Sequence, residues 1–151
     1  MKPIGIALAI FIGMLLPLQA LINAALGRQS FGALFASLGS FVVGTVALLL
    51  WWLGTRPAFD MATLARVPWW AWTGGLIGAV YVASATLLVP RLGAAALICL
   101  VVFGQIAGSL LLDHFGVLHA RQPVDMVKLA GALLVLVGAV LVVKPWQGAP
   151  G

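Results

Sequence analysis

Charge-free apolar stretches recur five times along this chain. Lys2 and Arg28 bracket the first, Arg28 and Arg56 the second, Arg66 and Arg91 the third, and Arg91 and Asp113 the fourth. Lys128 and Lys144 bracket a shorter fifth. A helix needs roughly 20 apolar residues to cross the ~30 Å hydrocarbon core of a bilayer. The first four stretches reach that length with room to tilt. The fifth gains length from Val124 to Met126, and Lys128 can snorkel its ammonium to the headgroups. No stretch offers a polar helical face to water. The pattern predicts an all-α integral membrane protein, with one membrane domain over 1–151 and spans at 3–26, 31–53, 68–89, 92–113 and 125–143.

The punctuation between spans is uneven. Gly27-Arg28-Gln29-Ser30 and Pro90-Arg91-Leu92-Gly93 predict tight turns, because the residue before a proline leaves helical geometry and glycine frees the backbone. The connection from Gly54 to Val67 is longer; Asp60 can cap a short helix that runs to Arg66 and is stopped by Pro68. The connection from His114 to Pro123 is polar and irregular. Trp51, Trp52, Trp69, Trp70, Trp72 and Trp146 all fall at span ends, where an indole ring is half buried and its N–H stays wet.

Composition agrees with this map and closes off other classes. The chain is 64% hydrophobic and 7% charged, with a mean hydropathy of +1.19, against about 25% charged residues in soluble domains. The net charge of +5 is carried by single basic residues at helix ends. It therefore reads as contact with lipid headgroups rather than with nucleic acid. Lone Cys99 gives no disulfide framework. His114 and His119 lack a third ligand nearby, so no metal and no cofactor are expected. The first stretch has a positive start like a secretory signal but is longer than the apolar core of one, about 7–15 residues, and is read as a span. Lys2, Arg56, Arg66, Arg121 and Lys128 lie on one side and Arg28, Arg91 and Lys144 on the other, five against three. That small bias favours a cytoplasmic N-terminus only slightly and admits insertion both ways round.

Small residues mark helix contacts. The second span carries Gly32, Ala36, Ser40 and Gly44 at spacing four, the third Gly74 and Gly78, and the fourth Gly104 and Gly108. Such stripes let backbones approach closely in lipid. No carboxylate pair, Cys pair or Ser–His arrangement lies at depth to run catalysis, so an enzyme is not expected. Neutral polar groups remain, and polar atoms in lipid must find partners. Pro17 lies inside the first span and should kink it, with Gln19 and Asn23 following four apart on one face. Ser40 lies near the centre of the second span. Tyr81 lies near the centre of the third, with Ser84 about one turn on, and Gln105 near the centre of the fourth. Thr45 and Thr86 can bond back to their own helices and carry little weight. Interhelical glue is the plain reading of this set; a solute site formed by spans one to four is the functional one. Asp113 at a span edge can pair with His114 or Arg121, or carry a proton.

The run from Pro17 to Gly27, PLQALINAALG, is similar to the first helix of the YdcZ-like family of the drug/metabolite transporter superfamily. The likeness continues in SFVVGT from Ser40, GGLIGAVY from Gly74, PRLGAA from Pro90, Gly104-Gln105 and DHFG from Asp113. The resemblance implies a bacterial inner-membrane protein of five spans, related to the small multidrug resistance transporters and working as an antiparallel two-domain assembly. Those relatives use a central acid in their first helix; this chain has Leu15 and Leu16 there and then Gln19. Their proton-for-cation chemistry is not carried over.

The expectation is a small transporter of a polar or amphipathic metabolite, working by alternating access as an antiparallel, dual-topology homodimer. Its solute would contact Gln19, Asn23, Ser40, Tyr81, Ser84 and Gln105. A passive channel built from the same dimer, or a non-transporting assembly partner of another membrane protein, are the alternatives.

Overall fold

The computed structural model describes residues 2–56, 58–118 and 120–143. Lys144, Trp146 and His119 lie outside these residues. Helix α1 spans Lys2–Gln29, α2 Ala33–Gly54, α3 Met61–Ala65, α4 Thr73–Leu92, α5 Ala94–Phe115 and α6 Met126–Val143, with a 3₁₀ turn at Trp69–Trp72 leading into α4. No strand occurs among the described residues. Five helices are long and apolar enough to cross a membrane: Pro3–Gln29, Ala33–Gly54, Trp69–Leu92, Ala94–Phe115 and Met126–Val143. The described residues thus form helices and their connections, as an all-helical membrane fold requires.

Two connections differ from expectation. Helix α1 continues through Gly27 and Arg28 to Gln29. The Ser30 hydroxyl then donates to the Leu26 carbonyl at 2.7 Å, and Gly32, at φ 98, makes the turn. Gly32 therefore stands ahead of α2 rather than on its packing stripe. Helix α4 likewise runs past Pro90 to Leu92, and Gly93 alone, at φ 78, breaks the chain before α5. A proline this close to a helix end removes one internal hydrogen bond and leaves the last turn intact. Helix α1 also stays continuous through Pro17.

The chain divides into two units, residues 1–90 and 91–151. In the first, α1 packs on α2 as a hairpin. Gly27 sits so close to the turn that an added Cβ would meet the backbone of Gly32 and Ala33 at 3.3 Å. Helix α4 belongs to the same unit. Its Gly78 leaves space for the Phe41 ring, 3.6 Å from where a Cβ would stand. In the second unit α5 packs on α6. Its polar connection is ordered by the end of α5. Gly116, at φ 68, turns the chain; its N–H donates to Asp113 O at 3.2 Å and Val117 N–H to Leu112 O at 3.0 Å. That is the reciprocal pairing of a Schellman cap. Gln122 N–H then donates to Asp113 O at 2.8 Å, and Arg121 Nε to His114 O at 2.8 Å.

The buried apolar residues are mostly small: Ala20, Ala24, Ala36, Ala85, Ala132 and Ala139, with Val82, Val89 and Leu97. The large ones face outward; Ile4 is 76% and Trp51 75% exposed. This inversion suits lipid, where close backbone packing rather than apolar burial joins helices. Between spans, Asp60 accepts from Ala62 and Thr63 N–H at 3.0 Å and from the Thr63 hydroxyl at 2.7 Å, which caps α3. These bonds, the Thr63 hydroxyl first, hold its carboxyl below the usual aspartate value.

Candidate functional site

Polar chemistry gathers inside the first unit. On α1, Gln19 and Asn23 stand one turn apart on one face, with Leu16 and Ala20 beside them. On α4, Tyr81, Val82, Ala85 and Thr86 share a face. These eight side chains line a small cavity in which about 10 Å³ is open to the centre of a water molecule, roughly the space one water requires. Asn23 is only 4% exposed, and its Nδ2 is shielded without a hydrogen-bond partner. An unpaired buried amide costs roughly 1–3 kcal/mol.

Thr86 is buried at the rim of this cavity. Its hydroxyl donates to Val82 O at 2.8 Å, one turn back. Its oxygen lies 3.4 Å from the Ser37 hydroxyl of α2, which donates more closely to Ala33 O at 2.8 Å. Thr86 thereby spends its proton on its own helix and offers the cavity a lone pair. Ser37 is the hydroxyl that sequence reasoning missed, and Thr86 the one it discounted. Both lie on buried helix faces, and uniformly apolar helices do not disclose which face is buried.

A wider groove adjoins the niche. Gln19 and Val82 line both, and the groove adds Ser40, Phe41, Gly44, Thr45 and Leu48 from α2, enclosing about 200 Å³. A third recess, of about 190 Å³, shares Thr86 and runs beside Ala24, Gly27, Arg28, Ala33, Leu87 and Pro90. The cavities thus follow α1 from Gln19 to Arg28, about 14 Å of helix.

The structure therefore collects Gln19, Asn23 and Tyr81 around the niche, and Gln19 and Ser40 around the groove. Ser84 lies off this face of α4 and is exposed. Gln105 is exposed on α5 of the second unit, where its backbone carbonyl accepts from Ser109 Oγ at 2.7 Å. Of the small-residue stripes, Ala36 is fully buried and Gly78 meets Phe41. Gly44, Gly104 and Gly108 have no neighbour within 4 Å of an added Cβ. No group of three or more potential metal ligands occurs among the described residues.

Five helices of this length and composition define a multi-pass membrane protein. The chain matches the family described as "Putative inner membrane exporter, YdcZ" over residues 4–141, and it belongs to that family. It is 29% identical over 145 residues to "Inner membrane protein YdcZ" of Escherichia coli (strain K12), covering 95% of this chain and 97% of that protein. No solved structure matches it. The protein is a multi-pass inner-membrane protein and a transporter in the broad sense. Its family of exporters points away from an enzyme.

Proposed function

We propose that this chain moves a small polar or amphipathic metabolite out across the bacterial inner membrane, acting as a single membrane domain in an antiparallel homodimer. The carrying observation is the buried, unpartnered Asn23 amide beside the Gln19 groove, because a polar atom without a partner is retained in an apolar interior at a cost. Gln19, Asn23, Tyr81 and Ser40 hold the solute; Gln105, on α5 of the second unit, is a separate candidate contact. The odd number of spans and the five-to-three distribution of basic residues support inverted pairing, since an inverted pair of identical chains supplies the two-fold relation that alternating access uses.

Purified protein in proteoliposomes tests the reading. Solutes that raise its unfolding midpoint in detergent are loaded inside and their release followed. Saturation and countertransport support a carrier; conductance steps across a planar bilayer would instead make it a channel. Reporter fusions at the C-terminus, one active on each side of the membrane, should both give signal; silence of either sinks dual insertion.

A further inference from the structure

We propose that Asn23 forms the hydrogen-bond donor of an acceptor-specific subsite, and that the solute is an uncharged molecule presenting a carbonyl-type oxygen to it. This rests on the transporter reading of the same cavity and adds the chemistry of what binds there.

Three observations converge. Asn23 Nδ2 is shielded and unpartnered, so what it lacks is an acceptor, not a donor. The niche beside it has room for one water-sized group, which matches a single oxygen atom and excludes a bulky headgroup. No Asp, Glu, Lys, Arg or His lines the niche or the adjoining groove. A cation or anion held in this apolar surrounding would lack a counter-charge and would pay for its lost hydration. Gln19 lines both compartments, so a solute lying in the groove of about 200 Å³ can place its oxygen in the niche. In that pose the Gln19 carboxamide satisfies a second polar group one helical turn away, about 5–6 Å.

Benzamide and benzamidinium test this, because they have one shape. Benzamide is neutral and carries a carbonyl oxygen. Benzamidinium is a cation with donors only. Benzamide should raise the unfolding midpoint of the detergent-purified protein in a concentration-dependent manner, and benzamidinium should not. Asn23→Val should leave the ligand-free midpoint unchanged or higher, since it removes an unsatisfied amide, and should weaken benzamide binding about tenfold. Asn23→Ala repeats the measurement with a smaller side chain, in case valine crowds the niche.

Equal or stronger stabilisation by benzamidinium overturns the proposal; it would mean that the carboxamide presents its oxygen inward. A response to neither compound also overturns it. So does a lower ligand-free midpoint or a lost dimer in both variants, because either result gives the amide a partner within the protein. The binding measurement needs no membrane gradient. If benzamide binds as expected but no solute crosses proteoliposomes, the transport reading fails and this subsite stands. If transport is found and the two compounds act alike, only the subsite fails.

Discussion

Residues 1–90 point polar side chains of α1, α2 and α4 toward common cavities, whereas in the second unit Arg121 donates to the end of α5, Ser109 bonds back to its own helix and Asp125 accepts from Lys128 N–H at the start of α6. The second unit also has cavities. One, of about 470 Å³, lies among Phe103, Leu110, Leu111, Leu133 and Leu136, with His114 at its edge. Another, of about 280 Å³, is lined by Ile98, Cys99, Val102 and Val142 among others. Both are larger than the groove beside Gln19 yet almost wholly apolar. An apolar lining accepts any hydrocarbon of fitting size; only placed polar groups fix a solute's orientation and identity. The contrast teaches that volume is a poor guide to recognition in a bilayer protein, and an unsatisfied polar atom a better one.

Backbone damage to the second unit should have the largest effect on stability and little on recognition. Gly116→Val forces a branched side chain to φ 68 and toward the Arg121 backbone, 3.1 Å from the new Cβ. It should cost roughly 1–3 kcal/mol, read as a lower unfolding midpoint, with solute affinity of the folded fraction preserved. Lost affinity in that fraction would erase the division between the units.

Gln19→Leu removes polarity where the niche and groove meet. Transport should fall about tenfold, equivalent to ~1.4 kcal/mol, with the fold retained. Gln105→Leu should lower transport as well, and by less. Unchanged transport in Gln105→Leu confines recognition to the first unit, while unchanged transport in both variants removes the site assignment.

Apart from the backbone of its own helix, nothing lies within 4 Å of a Cβ added at Gly44, and Gly44→Leu extends a side chain into the groove beside Gln19. The chain should fold, and self-association should weaken by about 1–3 kcal/mol through crowding against a second copy. An unaltered elution volume on size exclusion would mean that this face, with the groove it lines, is not where two copies meet.

The smallest effect lies outside both cavities, at Asp60. Its folded-state carboxyl titrates below its unfolded value, so the support it gives α3 is complete above the ordinary aspartate range and fades as pH falls through the folded value. Protection of the Ala62 and Thr63 amides, measured against the intrinsic exchange rate at each pH, should fall over that acidic interval, and Asp60→Ala should lack that protection at every pH.

The five long helices were legible because length and the absence of charge suffice to specify a span. Their ends were less so. The Pro90 signal predicted a break, yet a proline in the last turn deletes one bond and the helix outlasts it by two residues. Gly32 resembled a stripe member by spacing, and only its backbone torsion reveals a turn. Gln19, Asn23 and Tyr81 stood out as carboxamides and a phenol among hydrocarbons, and they meet at one niche. Hydroxyls were harder to sort. Ser84 and Thr86 look alike in sequence, two residues apart; helical rotation sends one outward and buries the other. An amphipathic soluble helix would have revealed that rotation by its polar face, a cue these helices lack.

Gly93 has a mechanical consequence. It is the single residue between α4, which ends at Leu92, and α5, which begins at Ala94, and it sits at φ 78, ψ 155, where a side chain is strained. A joint of one residue has no slack to absorb sliding. Apart from fraying of the flanking turns, the covalent link between α4 and α5 has two rotations to offer, about the two backbone bonds of this glycine. A rotation of the start of α5 about the end of α4 is passed through this residue as torque, in the way a universal joint passes rotation while refusing extension.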